Sequence, residues 1–572
     1  MKNFKIWAPK AEKVEIKIND MTVPMIKSGQ WWEYNSDIQH CDYGFIIDGK
    51  GPYPDPRSSF QPNGVHGLSR TYDQNEFQWT DKNWQPPPLS SAIIYELHIG
   101  TFTPEGTFEG VMKKINYLKD LGITHIEIMP VNEFTGKRGW GYDGVNIYAP
   151  HHSYGGPDEF KKLVNFCHTN QIAVLLDVVY NHFGLEGNYI GQFGPYFSNK
   201  YNTMWGNAFN YDSEYSVEPR KFIIDNALMW FKDYHLDGLR LDAVHAIYDQ
   251  SATHIIEQIA REVKKLQTQI GRHLYLIAEY DLDSPRIVQS FDIGGFGFDA
   301  QWNDGFHHAL HSVITGETNG YYADFGKIAD LAKCIKKVFV YDGKYSNYRK
   351  AIHGRPATNC KGYNFIGCIQ NHDQVGNRAT GGRISHLVSI DKAKVAAAIV
   401  FTSPFVPLIF SGEEFAASTP FQYFTDVSDM KLANGITQGR KKEFAAFGWD
   451  PAKIPDPQSP QTFSNSKLNW PEIENEPHKS MLEWYKQLIQ LRKSYPELKN
   501  GCLDEIQVSF DESEKWIRID RAKLKILANL ADNSRQFDVN DCNKIILRSD
   551  KQIECTGSKI NMPPNSIVIF SV

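Results

Sequence analysis

The sequence predicts an α/β fold, a (β/α)8 TIM barrel flanked by an N-terminal and a C-terminal β domain. Three observations predict it. From about residue 90 onward eight short apolar runs recur, most followed by an amphipathic helical stretch. Near-continuous apolar strands with helical crossovers imply a parallel sheet covered on both faces, and eight such units over roughly 370 residues fit a closed barrel with insertions. Both ends of the chain instead read as short alternating segments separated by turn residues. Finally, charged and polar residues close several of the apolar runs at the same end. A doubly wound open sheet is the alternative for the same units.

Residues 1–85 contain "FKIWAP", "KVEIKI", "WWEYNSD" and "YGFIIDG", the segments of an N-terminal β domain. "WQPPPLSS" (84–91) disfavours helix and ladder alike and reads as a linker. The barrel is assigned to 90–460. Its strands are "IIYELHI" (93–99), "HIEIMPV" (125–131), "AVLLDVVY" (173–180), "GLRLDAV" (238–244), "LYLIAEY" (274–280), "FGFDAQW" (296–302), "FIGCIQNHD" (365–373) and "PLIFSG" (407–412). The largest insertion, about 183–216, follows the third strand and is rich in Gly, Asn and Tyr. Residues 461–499 read as a helical connection. From 500 to 572, "WIRIDR", "LKILANL", "KIILRS" and "SIVIFSV" give the C-terminal β domain.

Composition narrows the function classes. A net charge of −6 over 572 residues argues against a general nucleic-acid binder. The N-terminus lacks an apolar targeting core, and no uninterrupted apolar run reaches membrane-spanning length. Eight dispersed cysteines form no CxxC pair, which speaks against zinc and redox motifs and for free thiols in a cytoplasmic protein. Aromatic residues make up 13% of the chain, and their flat faces suit sugar rings as well as large cores.

The strand ends carry the chemistry, because functional groups of such a barrel sit at the C-terminal ends of its strands. The third strand ends in Asp177, Asn181 and His182, the fourth in Arg240, Asp242 and His245, the fifth in Glu279, and the seventh in His372 and Asp373. Three carboxylates, Asp242, Glu279 and Asp373, therefore converge. Gathered like charges push pKa values apart, so one carboxyl stays protonated while another stays ionised. Cleavage of a glycosidic bond uses that pair: an acid protonates the leaving oxygen, and a carboxylate attacks the anomeric carbon or activates water. Arg240, two residues before Asp242 on the same strand face, is placed to hold it ionised and aimed. Taken singly, each Asp fits a helix cap and each His a structural role. An acidic cluster also fits Mg²⁺ or Ca²⁺. The recurrence at one end of four strands favours the catalytic reading.

"DVVYNH" (177–182), "GLRLDAVH" (238–245), "LIAEYD" (276–281) and "IQNHDQ" (369–374) resemble, in order, the four sequence regions of the α-amylase family of glycoside hydrolases. The N-terminal segment resembles the immunoglobulin-like, glycogen-binding-type β-sandwich of family members acting on branched or modified α-glucans, and the C-terminal domain is expected to be a β-sandwich too. The resemblance implies a nucleophile at Asp242, a general acid and base at Glu279, and a transition-state-stabilising acid at Asp373. It implies that Arg240 orients Asp242, that Tyr142 of "GWGYDG", His182 and His372 line the subsite where the bond breaks, and that His245 contributes to substrate binding. It implies retention of configuration and no cofactor. Some relatives hold a calcium ion through the asparagine of "YNH", but no acidic loop supports it here, so no metal is expected.

Within the family, "AEYDLDSPRIV" (278–288), "GFDAQWNDGFHHALHSVITGETNGYYADFG" (297–326) and "QYFTDVSDMKLANGITQGRKKEFAAFG" (422–448) are most similar to the trehalose-releasing members. These hydrolyse the α-1,4 bond next to the terminal trehalose of a maltooligosyltrehalose. "NDGFHH" then assigns Asp304, His307 and His308 to the substrate site, and "HDQVGN" adds Gln374 and Asn377. Tyr280 departs from the small or polar residue of many relatives. The pathway logic implies one functional partner, a maltooligosyltrehalose synthase that makes the trehalose end. Glycogen branching enzymes and isoamylase-type debranching enzymes share the N-terminal module and are the nearest alternatives. A non-catalytic amylase-like binding protein would have lost one of the three acids.

Overall fold

The computed structural model describes residues 2–445, 448–539 and 542–571; of the stretch 422–448, residues 446 and 447 lie outside the described residues. Eight parallel strands close into a barrel: β1 (Ile94–Leu97), β2 (His125–Ile128), β3 (Ala173–Val178), β4 (Gly238–Leu241), β5 (Tyr275–Ala278), β6 (Ala300–Trp302), β7 (Phe365–Gly367) and β8 (Val406–Phe410). Each pairs with the next and β8 returns to β1. The eight apolar runs are these eight strands, and the open-sheet alternative falls. The strands are shorter than the runs. β4 stops at Leu241, because Ala243 takes a left-handed φ of 38° and opens a 3-10 turn over Val244–Ala246. β6 keeps only the last three residues of its run.

Ile94, Leu175, Ile277, Ile366, Val406 and Leu408 fill the lower barrel. Outer helices follow, among them Gly156–Thr169 after β2, Val217–Lys232 after β3, Ile255–Ile270 after β4 and Asp304–Thr315 after β6. In Ile255–Ile270, the buried residues Ile255, Ile256, Ile259, Ala260, Val263 and Leu266 recur at helical spacing and lie on one face.

N-terminal to the barrel, Lys2–Trp7, Trp31–Ser36 and Ile26–Ser28 form one antiparallel sheet, and a second is centred on Val14–Ile18 and Asp42–Ile47. Val14, Ile16 and Ile18 alternate into the core, as a half-buried strand requires. These sheets dock on the insertion after β3. Trp7 meets Tyr196 edge-on at 5.1 Å, and a Cβ on Gly194 would lie 2.6 Å from the Trp7 ring, so only glycine allows this approach. The insertion carries an antiparallel hairpin, Phe197–Thr203 with Gly206–Phe209. At the C-terminal end, a five-stranded sheet that includes Trp516–Arg521, Leu524–Asn529 and Ser566–Ser571 faces a smaller sheet of three.

The proline-rich linker is fastened to the N-terminal mouth of the barrel by Asp237, which directly precedes β4. Asp237 accepts from Trp84 Nε1 at 2.8 Å, His168 Nε2 at 2.9 Å and the Val174 amide at 2.8 Å. His168 Nδ1 donates to Asp81 at 2.8 Å. Burial disfavours the His168 cation, yet Asp237 and Asp81 outweigh it and raise the pKa. Asp237→Ala would leave that cation half paired in a dry site, a loss of roughly 3–5 kcal/mol. The expected outcome is a clearly lowered melting temperature at neutral pH; a midpoint unchanged within about 1 °C would remove this anchor from the account.

Candidate active site

The strand register builds the site. Asp177 pairs with Arg240 across β3 and β4, so an acid and a guanidinium leave adjacent strands on the same face. Arg240 is wholly buried. Its Nη1 donates to Asp177 Oδ2 at 2.6 Å and to Asp242 Oδ1 at 2.9 Å, and its Nη2 donates to Glu279 Oε2 at 2.8 Å. The guanidinium lies 4.0 Å from the centre of the Trp302 ring.

The two acids beside Arg240 are held differently. Asp242 has both oxygens occupied: Arg240 binds Oδ1, and Asn181 Nδ2 donates to Oδ2 at 2.7 Å. Burial favours its neutral form, but Arg240, His182 and the Asn181 bond prevail and hold the carboxyl below the usual range. Glu279 receives Arg240 and the Ala243 N–H, at 3.0 Å, on the single oxygen Oε2. Burial raises its pKa well above normal, with Asp242, Asp373 and Asp304 adding to the rise against Arg240. With Oε2 accepting two donors, the proton belongs on Oε1. Asp242 and Glu279 are thus bound to the two terminal nitrogens of one guanidinium. An ionised and a protonated carboxyl side by side can attack one atom and protonate its neighbour.

A second chain of contacts supports this pair. Tyr142 donates to Asp177 Oδ2 at 2.5 Å and bonds His372 Nε2 at 2.7 Å. His372 Nδ1 bonds Glu96 Oε1 at 2.5 Å, and its backbone N–H donates to Glu96 Oε2 at 3.0 Å. With Tyr142 donating to Asp177, both ring nitrogens of His372 are donors. Burial disfavours this imidazolium, but Asp373 and Glu96 raise the pKa to about 9. Asp177 is pushed to about 7 by burial and by Asp242, against the pull of Arg240. Asp373 opens the short helix His372–Gly376, which Asn371 caps. Its side chain is 33% exposed, against 12% for Asp242 and 18% for Glu279. Asn377 Nδ2 donates to its Oδ1 at 3.3 Å.

The remaining sequence-assigned residues divide. His182 bonds Asn181 Oδ1 through Nδ1 and stacks on Trp205 at 4.3 Å and 6°. Asp304, half-buried at the start of its helix, is pushed to about 7 by burial and by Asp281 and Asp373. His308 is half-buried against Tyr321 and Phe325. His245 is exposed, and its Nδ1 accepts the Asp281 N–H at 3.4 Å. Gln374 donates its backbone N–H to Asn371, while its side-chain Oε1 is buried without a protein partner. His307 is wholly buried and stacks on His311 at 5.4 Å. A helix turns each successive residue by about 100°, and His308, not His307, falls on the open side.

Several site residues had no strand-end signal. Glu96 and Glu127 stand inside β1 and β2, opposite each other in register. Both oxygens of Glu127 are buried without a protein partner, and burial, with Glu96 adding, raises its pKa well above normal. Trp205 comes from the insertion hairpin. Arg349, on the hairpin Asp342–Ser346 with Ala351–Gly354, bonds Asp281 at 2.5 Å. Glu133, His151 and His152 bring ligand-type atoms within 4.8 Å of one another. His152 Nδ1 bonds Glu133 Oε1 at 2.8 Å and the Ser153 N–H donates to His151 Nδ1 at 3.0 Å, while His151 Nε2 is buried 3.8 Å from Glu133 without a hydrogen-bond partner among the described residues. Asn181, the calcium ligand of some relatives, is engaged by Asp242 and His182.

This barrel and its paired carboxyls define a catalytic domain of the α-amylase class, and the family model "Alpha amylase, catalytic domain" matches residues 71–205 and 208–501. A malto-oligosyltrehalose trehalohydrolase of Rhizobium sp. (strain M-11) is 42% identical over 582 residues, covering 99% of this chain and 97% of that one. One from Saccharolobus solfataricus is 46% identical over 520 residues, covering 90% and 88%. A 1.4 Å crystal structure of a Salmonella typhimurium protein superposes with a TM-score of 0.91 at 35% identity, covering 99% and 97%. The chain belongs to the malto-oligosyltrehalose trehalohydrolases of the α-amylase family.

The doubly bonded His372 yields a direct check. Its ring is expected to stay protonated at pH 8 in NMR titration. Glu96→Gln removes a carboxylate that favours the cation and should move the pKa down toward the usual 6.5. A wild-type ring that is neutral at pH 8 would break the donor assignment.

Proposed function

We propose that this protein hydrolyses the α-1,4-glucosidic bond next to the terminal trehalose of a maltooligosyltrehalose, releasing trehalose and a maltooligosaccharide by a retaining double displacement. The observation that carries the chemistry is that one buried arginine holds two carboxyls whose pKa values are pushed in opposite directions. One guanidinium binding both carboxyls keeps them near each other, in keeping with the closely spaced acids of retaining enzymes. The substrate is supported by the relatives' names at 42% and 46% identity. A branching enzyme of Bacillus subtilis is 30% identical and covers 53% of this chain, which favours that alternative less.

In the first step the Glu279 Oε1 proton passes to the glycosidic oxygen while an Asp242 oxygen bonds to the anomeric carbon. The bond to trehalose breaks and a glycosyl ester forms. Glu279, now ionised, takes a proton from water, whose oxygen attacks the same carbon, and Asp242 leaves. Asp373 binds hydroxyls of the sugar at the breaking bond and stabilises its positive charge. Arg240 holds Asp242 ionised, and Tyr142, His182 and His372 line this subsite. A functional link to a maltooligosyltrehalose synthase and a cytoplasmic location complete the proposal. No helix among the described residues is long and apolar enough to cross a membrane.

Chromatography of products from maltotriosyl-trehalose, with maltopentaose in parallel, tests it. Trehalose and maltotriose are expected, with little action on maltopentaose; equal cleavage of both would make the protein a general α-glucanase. Glu279→Gln should lower kcat by about 10²–10⁴ with KM near wild type, and activity within about tenfold of wild type would unseat Glu279.

The pH profile should be bell-shaped. Activity is lost as pH falls through the depressed pKa of Asp242, and lost as pH rises through the raised pKa of Glu279. Asp304→Asn removes a negative neighbour of Glu279, making its ionisation easier, so the alkaline limb should move to lower pH. A limb that stays or rises would exclude Asp304 from the field at the acid.

A further inference from the structure

Asp373 is the most exposed of the three acids; its Oδ1 lies 3.5 Å from His372 Nε2 and accepts a hydrogen bond from Asn377 Nδ2 at 3.3 Å. An amide can face either way, so that bond depends on what fixes the amide. Arg440 supplies the answer. Its Nη1 and its Nη2 both donate to Asn377 Oδ1 at 3.0 Å, and Nη2 also donates to the Gly376 carbonyl at 3.1 Å. A flipped amide would set its NH₂ against two guanidinium donors. The unflipped one turns Nδ2 to Asp373.

Arg440 is itself confined. Its side chain is 13% exposed and lies 4.4 Å from the Tyr423 ring centre and 4.5 Å from that of Phe444. It belongs to the helix Met430–Ala445, in which Phe444 is the buried residue. A sparsely buried helix thus reaches the site through one arginine, and the contact ends on an acid 67 positions earlier in the chain.

We propose that Arg440 is a positioning residue for the hydrolysis, acting through Asn377 to hold Asp373 at the sugar; this rests on the glycosidase reading above. Losing the link misplaces a group that acts on the transition state. It should therefore lower kcat more than it raises KM, and a misplacement of about 1 Å costs about 10²-fold.

The experiment is a double-mutant cycle on kcat for release of trehalose from maltotriosyl-trehalose, using the full chain. Arg440→Met and Asn377→Ala are each expected to lower kcat about tenfold or more, with KM within about threefold. The double variant should fall no further than Asn377→Ala alone, because both remove one link. Arg440→Lys, which keeps the charge and loses the fork, should recover part of the rate. Independent, multiplying losses would overturn the proposal, and so would an Arg440→Met variant with normal kcat. If Arg440→Met does not fold, Asn377→Ala decides alone, since it breaks the link without touching the helix: normal kcat there sinks the idea. A wild type that releases no trehalose defeats the functional reading instead, whatever the variants do.

Discussion

One buried guanidinium sets the terms for the rest of the site. Arg240 is fully removed from water, a state that several kcal/mol of lost hydration opposes unless carboxylates surround it in good geometry. Asp177, Asp242 and Glu279 do so at 2.6 to 2.9 Å. Three ionised carboxylates around one cation would repel one another in a dry site, so at least one must keep its proton. The second-tier contacts decide which. Asn181 donates to the second oxygen of Asp242 and favours its ionised form, whereas Asp242, Asp373 and Asp304 all disfavour ionisation of Glu279. The asymmetry that glycosidic cleavage needs therefore follows from packing around Arg240, and the Asp177–Arg240 register of β3 with β4 is its origin.

The same logic extends outward with alternating charge. Glu96 on β1 holds the His372 cation after β7, and Tyr142 bridges that cation to Asp177 on β3. Groups from three strands and one loop are thereby fixed by direct hydrogen bonds. Preorganised dipoles and charges act more strongly in such surroundings than in solvent, and need no rearrangement as charge develops. Trp302 beneath Arg240 and Trp205 over His182 serve the same end, since flat rings restrain planar cations and imidazoles in one orientation.

Much of this was legible in the sequence. Eight apolar runs separated by helical periodicity could close only as a barrel or an open sheet, and the polar residues ending those runs had to gather at one rim. Asp242, Glu279 and Asp373 are placed at that rim by the same reasoning. What escaped had no periodic signature. Glu96 and Glu127 sit inside strands, where a carboxylate looks like a tolerated interruption until register sets the two side by side. Trp205 and Arg349 come from hairpins whose docking is a tertiary event. Adjacency in "NDGFHH" hid that His307 is wholly buried and His308 only half-buried, because a helix sends neighbours to different surroundings. Arg440 was one cation among several in "GRKKEF", and nothing local marked it as the one that turns inward.

The three acids also differ in what carries them. Asp242 and Glu279 follow directly on barrel strands, the stiffest elements available, and the pairing of those two strands fixes where they stand. Bond-making and proton transfer require that constancy. Asp373 stands on a five-residue helix beyond β7, more exposed and steadied from outside the barrel by an amide and a distant arginine. Segments with few buried contacts open at lower free-energy cost than core strands do. Any adjustment of the site to a sugar entering or leaving will therefore be concentrated at Asp373 and its supports, leaving Asp242 and Glu279 in place. A division of this kind lets one barrel grip a substrate tightly at the moment of reaction and still release it.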